Sequence, residues 1–173
     1  MEGKKKGEIR EWVESIFIAI IIAIAIKAFI FETILVEGYS MLPTLHDRDR
    51  LAVNKIGYHI GEPARGDIVV FKYPGDPKLI FIKRVIGIEG DRVEIKNHRV
   101  IVNGEELKED YILEMTLGEY PETVVPKDRV FVLGDNRNDS RDSRYPDVGF
   151  ISVKNIRGKA FARIWPLPME IID

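Results

Sequence analysis

Two hydrophobic patterns divide this chain. From Trp12 to Phe31, 17 of 20 residues are apolar, interrupted by Glu14, Ser15 and Lys27. At helical rise, about 20 residues match a hydrocarbon core of roughly 30 Å. Lys4, Lys5, Lys6 and Arg10 precede the stretch. The positive-inside rule therefore predicts one transmembrane helix over 12–33, with residues 1–11 as a cytoplasmic tail. Two other readings stand beside it. A cleavable signal peptide would use the small residues of Ala23-Ile24-Ala25, although apolar residues continue past them. A buried core helix would account for the uninterrupted run Ile16–Ile26, which is short for a span. The length of the whole stretch favours an uncleaved anchor.

After Phe31 the period becomes two. Short β-branched or aromatic runs lie between Gly, Pro and Asp punctuation: 51–53, 67–72, 79–88, 92–96, 99–102, 129–133 and 158–165. Such runs predict an antiparallel, mainly β, barrel-like domain over 34–173. Asn97-His98 reads as a hairpin turn between two of them. Residues 105–127 start with Glu105, Glu106, Lys108, Glu109 and Asp110 and then carry Pro121 and Pro126. They read as a surface excursion, so that 92–128 forms a hairpin and an excursion on the main domain.

Composition narrows the chemistry. The net charge of -2 argues against a nucleic-acid partner. The chain has no cysteine, which excludes a disulfide framework, a thiolate nucleophile and a Cys-ligated metal. His46, His59 and His98 show no ligand spacing, and neither a metal nor a cofactor is called for.

Three stretches carry candidate chemistry. Ser40 follows Gly38 and precedes Pro43; it is a nucleophile if a base sits beside it, and otherwise a hydrogen-bonding loop serine. His46 lies in the charged turn 46–50, too close in sequence to fold back onto Ser40. Lys83 lies in the most apolar run. Alternation puts Phe81, Lys83 and Val85 on one face and Ile80, Ile82 and Arg84 on the other. One of the two adjacent cations must turn toward a buried face, and burial makes a lysine a neutral base. An edge strand with both side chains snorkelling is the other reading. Residues 134–144 combine Asp, Asn, Arg and Ser. They form either a plain polar loop or a network of charge-assisted hydrogen bonds.

Taken together, Ser40-Met41-Leu42-Pro43-Thr44-Leu45, Lys83-Arg84-Val85-Ile86-Gly87-Ile88-Glu89-Gly90-Asp91 and Gly134-Asp135-Asn136-Arg137 through Asp142-Ser143-Arg144 resemble the nucleophile, lysine and third boxes of the bacterial type I signal peptidase family. The resemblance runs from Trp12 to Trp165. It implies a membrane-bound serine endopeptidase with Ser40 as nucleophile and Lys83 as general base. Ser140 matches the hydroxyl that helps orient the lysine, and Asp142 with Arg144 a supporting ion pair. The Ser40 amide would serve the oxyanion. Gly38 stands where many members carry a serine donor, which leaves the second donor as a backbone amide or a water. The implied substrates are secretory preproteins with small residues before the cut. By position, Ile34, Val36, Met41, Leu45 and Ile82 would wall the pockets for those residues. The resemblance also implies a plasma-membrane location in the vicinity of the secretion translocon, with the catalytic domain extracytoplasmic. Two alternatives are a membrane-tethered, non-catalytic peptide-binding β module and a self-cleaving Ser-Lys repressor-type peptidase. The latter would need a DNA-binding domain and no membrane segment.

Overall fold

The computed structural model describes residues 11–22, 24, 31–55 and 61–172 of the chain. The β-rich expectation holds: among the described residues, twelve strands form two antiparallel sheets. The larger contains β1 (Phe31–Leu35), β2 (Arg50–Asn54), β3 (Ile68–Lys72), β4 (Ile80–Gly87), β9 (Arg129–Leu133), β10 (Ile151–Ser152), β11 (Ile156–Trp165) and β12 (Glu170–Ile171). Its order is β1-β2-β11-β3-β4-β9-β10, with β12 paired to β11. The smaller contains β5 (Arg92–Lys96), β6 (Arg99–Val102), β7 (Glu105–Glu106) and β8 (Tyr120–Val124), in the order β7-β6-β5-β8. The β5–β6 hairpin turns on Asn97 and His98, both at positive φ, as a tight two-residue connection requires.

β3, β9 and the second half of β4 are buried without alternation because both of their faces are covered, whereas β2 and β11 alternate. One face of β3 sends Ile68 and Val70 into a cluster with Leu45, Leu51 and Val53. Its other face sends Val69 and Phe71 against Val85, Val130 and Val132. Ile86, Phe131 and Leu133 meet Val93, Ile95, Val100 and Val102, which fastens the smaller sheet to the larger.

Two expectations are corrected and one is met in part. Phe31–Thr33 belong to β1, paired with Asn54–Ala52 of β2, and not to an apolar helix; a continuous apolar run hides where a helix stops and a strand starts. Residues 11–22 are helical, yet no helix among the described residues is long and apolar enough to cross a membrane. Residues 1–10, and residues 23 and 25–30 of the expected anchor, lie outside the described residues. Finally, the supposed excursion contributes two strands. Pro121 stands inside β8, where the β5 register shifts between Val93 and Ile95, a bulge that tolerates a residue with no N–H to give.

Candidate active site

The chain leaves β1 and turns sharply through Gly38, at φ +93°, a backbone region that favours glycine. The Gly38 N–H donates to Asp47 Oδ1 at 2.9 Å, and the Val36 N–H to the Asp49 carbonyl at 2.8 Å. This closed loop projects Ser40 into a groove of about 620 Å³.

Strand β4 brings Lys83 to the same place. Its Nζ lies 2.7 Å from Ser40 Oγ and 3.0 Å from the Ile82 carbonyl oxygen. The Phe81 ring lies beside it, 5.2 Å from Nζ to centroid, and Phe81 itself stacks on Tyr73 at 4.6 Å. Burial lowers the Lys83 pKa from 10.5 to about 8, against the opposing pull of the Asp142 and Asp135 carboxylates. Alternation along β4 is as read from the sequence, with Val69 opposite Lys83 and Ile68 opposite Arg84. Its consequence differs: Lys83 and Arg84 are both buried, because both faces of this strand are covered at these two positions.

Arg84 has its own buried partner. Its Nε and Nη2 donate to the two Asp135 oxygens at 2.9 and 2.8 Å. The Tyr111 ring covers the guanidinium at 4.1 Å, and burial pushes the Tyr111 hydroxyl pKa up. Asp135 also accepts from Thr44 Oγ1 at 2.5 Å. One carboxylate therefore ties the serine stretch to the lysine strand. The next residue adds to this: the Asn136 N–H donates to the Ser40 carbonyl and Asn136 Nδ2 to the Tyr39 carbonyl, each at 3.1 Å.

The rest of the polar stretch forms a network. Arg144 holds Asp142 with two hydrogen bonds of 2.8 Å, and Asp142 accepts from the Gly134 N–H at 3.1 Å. Arg137 is fully enclosed. It donates to Glu109 at 2.9 and 2.5 Å, to Thr116 Oγ1 at 3.1 Å and to the Gly134 carbonyl at 2.9 Å. Ser140 Oγ, the hydroxyl that the resemblance implies helps orient Lys83, is buried and lacks a hydrogen-bond partner among the described residues. It packs against Gly134, where a Cβ would collide with Ser140 and with the Ser40 carbonyl.

Of the anticipated pocket walls, Ile34, Val36, Met41 and Ile82 line the groove with Ser40 and Lys83. Leu45 does not. It is fully buried in the core beside Leu51 and Ile68, because the turn after Ser40 directs it inward. Among the histidines, His46 is exposed and His98 Nδ1 lies 3.2 Å from the Thr116 carbonyl oxygen; His59 lies outside the described residues. The roles of Asp135, Asn136, Arg84, Glu109, Tyr111 and Thr116 were not anticipated. The available signal was Arg84 itself, since an arginine in an apolar strand demands a carboxylate.

The family described as "Signal peptidase, peptidase S26" matches residues 9–165. A signal peptidase I of Leptolyngbya laminosa is 40% identical over an alignment 174 residues long that covers 96% of this chain and 84% of that protein. A signal peptidase I of Bacillus licheniformis is 42% identical over 165 residues, 89% of this chain and 87% of that one. The crystal structure of a signal peptidase I from Enterococcus faecalis V583 is similar at a TM-score of 0.51 and 32% identity, covering 57% of this chain and 96% of that chain.

Proposed function

The chain belongs to the signal peptidase family, peptidase S26, as a serine peptidase that removes signal peptides, and we propose that it cuts with Ser40 as nucleophile and Lys83 as general base. The observation that carries this is the 2.7 Å contact between Lys83 Nζ and Ser40 Oγ in a buried setting. A neutral Lys83 amine takes the Ser40 hydroxyl proton as Oγ attacks the scissile carbonyl. The Ser40 N–H, which has no acceptor among the described residues, faces the developing oxyanion. The Gly38 N–H is committed to Asp47, so it is not the second donor. The Lys83 ammonium then protonates the departing amine. In the second half Lys83 takes a proton from water, the water oxygen attacks the acyl-Ser40 carbonyl, and the proton returns to Ser40 Oγ.

Arg84, Asp135, Thr44 and Asn136 hold the two reacting side chains in register, and the Asp142–Arg144 pair braces the Gly134 backbone behind them. Ile34, Val36, Met41 and Ile82 form shallow apolar walls that admit methyl-sized side chains before the cut. The substrates in this reading are secretory preproteins with alanine-like residues at those positions, met near the translocon. The apolar stretch ending before Phe31 is the membrane anchor, with the N-terminus cytoplasmic and the β domain on the other side.

The test is cleavage of a precursor carrying Ala-x-Ala before the cut. Ser40→Ala and Lys83→Ala should each lose at least about a thousandfold in kcat/KM while keeping the wild-type circular dichroism spectrum. Wild-type rates in Lys83→Ala would overturn the assignment of the base.

A further inference from the structure

A second cleft of about 680 Å³ opens beside the groove and shares Lys78 and Ile80 with it. Its walls are of another kind. Lys55, Lys72, Lys78, Lys154 and Arg157 face it, with Glu32 its one carboxylate among the described residues. Arg157 pairs with Glu32 at 2.8 Å. Lys72, Lys78 and Lys154 are exposed, and none of the three makes an ion pair among the described residues. The charges come from separate elements: the end of β2, the end of β3, the β3–β4 turn, the 3-10 turn Val153–Asn155 and the start of β11. Like charges gathered from distant parts of a chain whose net charge is -2 repel one another, and an anionic partner removes that repulsion.

The place of the cleft in the fold points to the partner. Glu32 lies one residue after Phe31, where the apolar stretch enters the domain, and Phe31 pairs with Asn54 beside Lys55. The groove runs from Ser40 and Lys83 past Ile34 and Ile82 to Ile80 and Lys78. On the reading of the function given above, which this inference takes as its premise, residues before the cut lie along those walls. The apolar part of the signal peptide then continues toward the cleft. The enzyme's own apolar segment and its substrate's therefore converge on one basic surface, and both continue into lipid.

We propose that this cleft seats the phosphodiester headgroups of anionic phospholipids and docks the open end of the groove on the bilayer. Lysine ammonium groups on flexible stems suit this task, because they track diffuse headgroup charge instead of gripping one phosphate in a fixed geometry.

The chain contains no cysteine, so Asn155→Cys gives a single labelling site on the rim of the cleft. The full chain carrying a fluorophore there is reconstituted in phosphatidylcholine vesicles, with and without phosphatidylglycerol, each containing a headgroup quencher. Quenching and cleavage of a membrane-inserted precursor should both rise when phosphatidylglycerol is present, and both gains should collapse in high salt. Lys72→Gln with Lys154→Gln should weaken the docking by about ten- to thirtyfold. The same double variant should leave cleavage of a short soluble peptide in neutral detergent unchanged. Equal quenching with and without the anionic lipid, or a double variant that behaves as wild type in anionic vesicles, overturns the proposal. Quenching blocked by a soluble acidic peptide and indifferent to lipid charge overturns it in favour of a protein partner. The short-peptide assay with Ser40→Ala tests the peptidase reading by itself, so the two can fail separately.

Discussion

Opening the roof over Lys83 tests the chemistry at its weakest point, because the reaction needs an amine without its proton. Phe81→Ala removes the ring that lies 5.2 Å from Nζ and rests on Tyr73, and admits water to an ammonium that the fold now disfavours. With a pKa of about 8, roughly one tenth of Lys83 is neutral at pH 7. Each unit by which the pKa recovers toward 10.5 lowers that fraction about tenfold, with a ceiling of about 300-fold, or about 3 kcal/mol. The assay is kcat/KM against pH on an Ala-x-Ala peptide. In the wild type the rate should climb about tenfold per pH unit and level off above about 8. In Phe81→Ala the climb should persist to higher pH, with the loss largest near pH 7 and small at the alkaline plateau. A variant that loses activity equally at every pH, with its limb unmoved, would refute the reasoning and reduce Phe81 to a wall of the groove.

Two further outcomes follow from the same buried charges. Lys83→Met should abolish cleavage yet raise the melting temperature at pH 7. Below about pH 8 both the folded and unfolded chains hold the Lys83 proton, and the folded state bears the cost of burying it. From about pH 8 to 10.5 the folded chain releases that proton before the unfolded chain does, so wild-type stability rises with pH and the advantage of the variant fades. Thermal unfolding across this range checks it, and a constant difference would count against it. Glu109→Ala should leave the enclosed Arg137 without its carboxylate and destabilise the domain by about 3–5 kcal/mol in denaturant unfolding. Adding Arg137→Met should recover much of the loss, and no recovery would mean the excursion is held by other contacts.

Local pattern made much of the β domain legible in advance. The runs at 67–72, 92–96, 99–102 and 129–133 became strands within a residue or so, since β-branched alternation and turn residues act over a few neighbours. β1 was hidden because an apolar helix and an apolar edge strand look alike when they adjoin, and β8 because Pro121 stands within it. The serine, lysine and polar stretches could be picked out by residue type, and the spacing on β4 put Lys83 and Arg84 on opposite faces. Only the tertiary structure decided that both faces are covered, that Leu45 turns into the core while Met41 stays on the groove, and that Ser140 Oγ lacks a hydrogen-bond partner among the described residues. It also decided which groups meet across long stretches of chain: Asn136 with Tyr39, Arg84 with Asp135, Arg137 with Glu109. An apolar or charged residue announces from sequence that it needs burial or a partner. Which surface or which countercharge answers that need depends on how sheets separated by dozens of residues pack, and periodicity over a few positions holds no information about that.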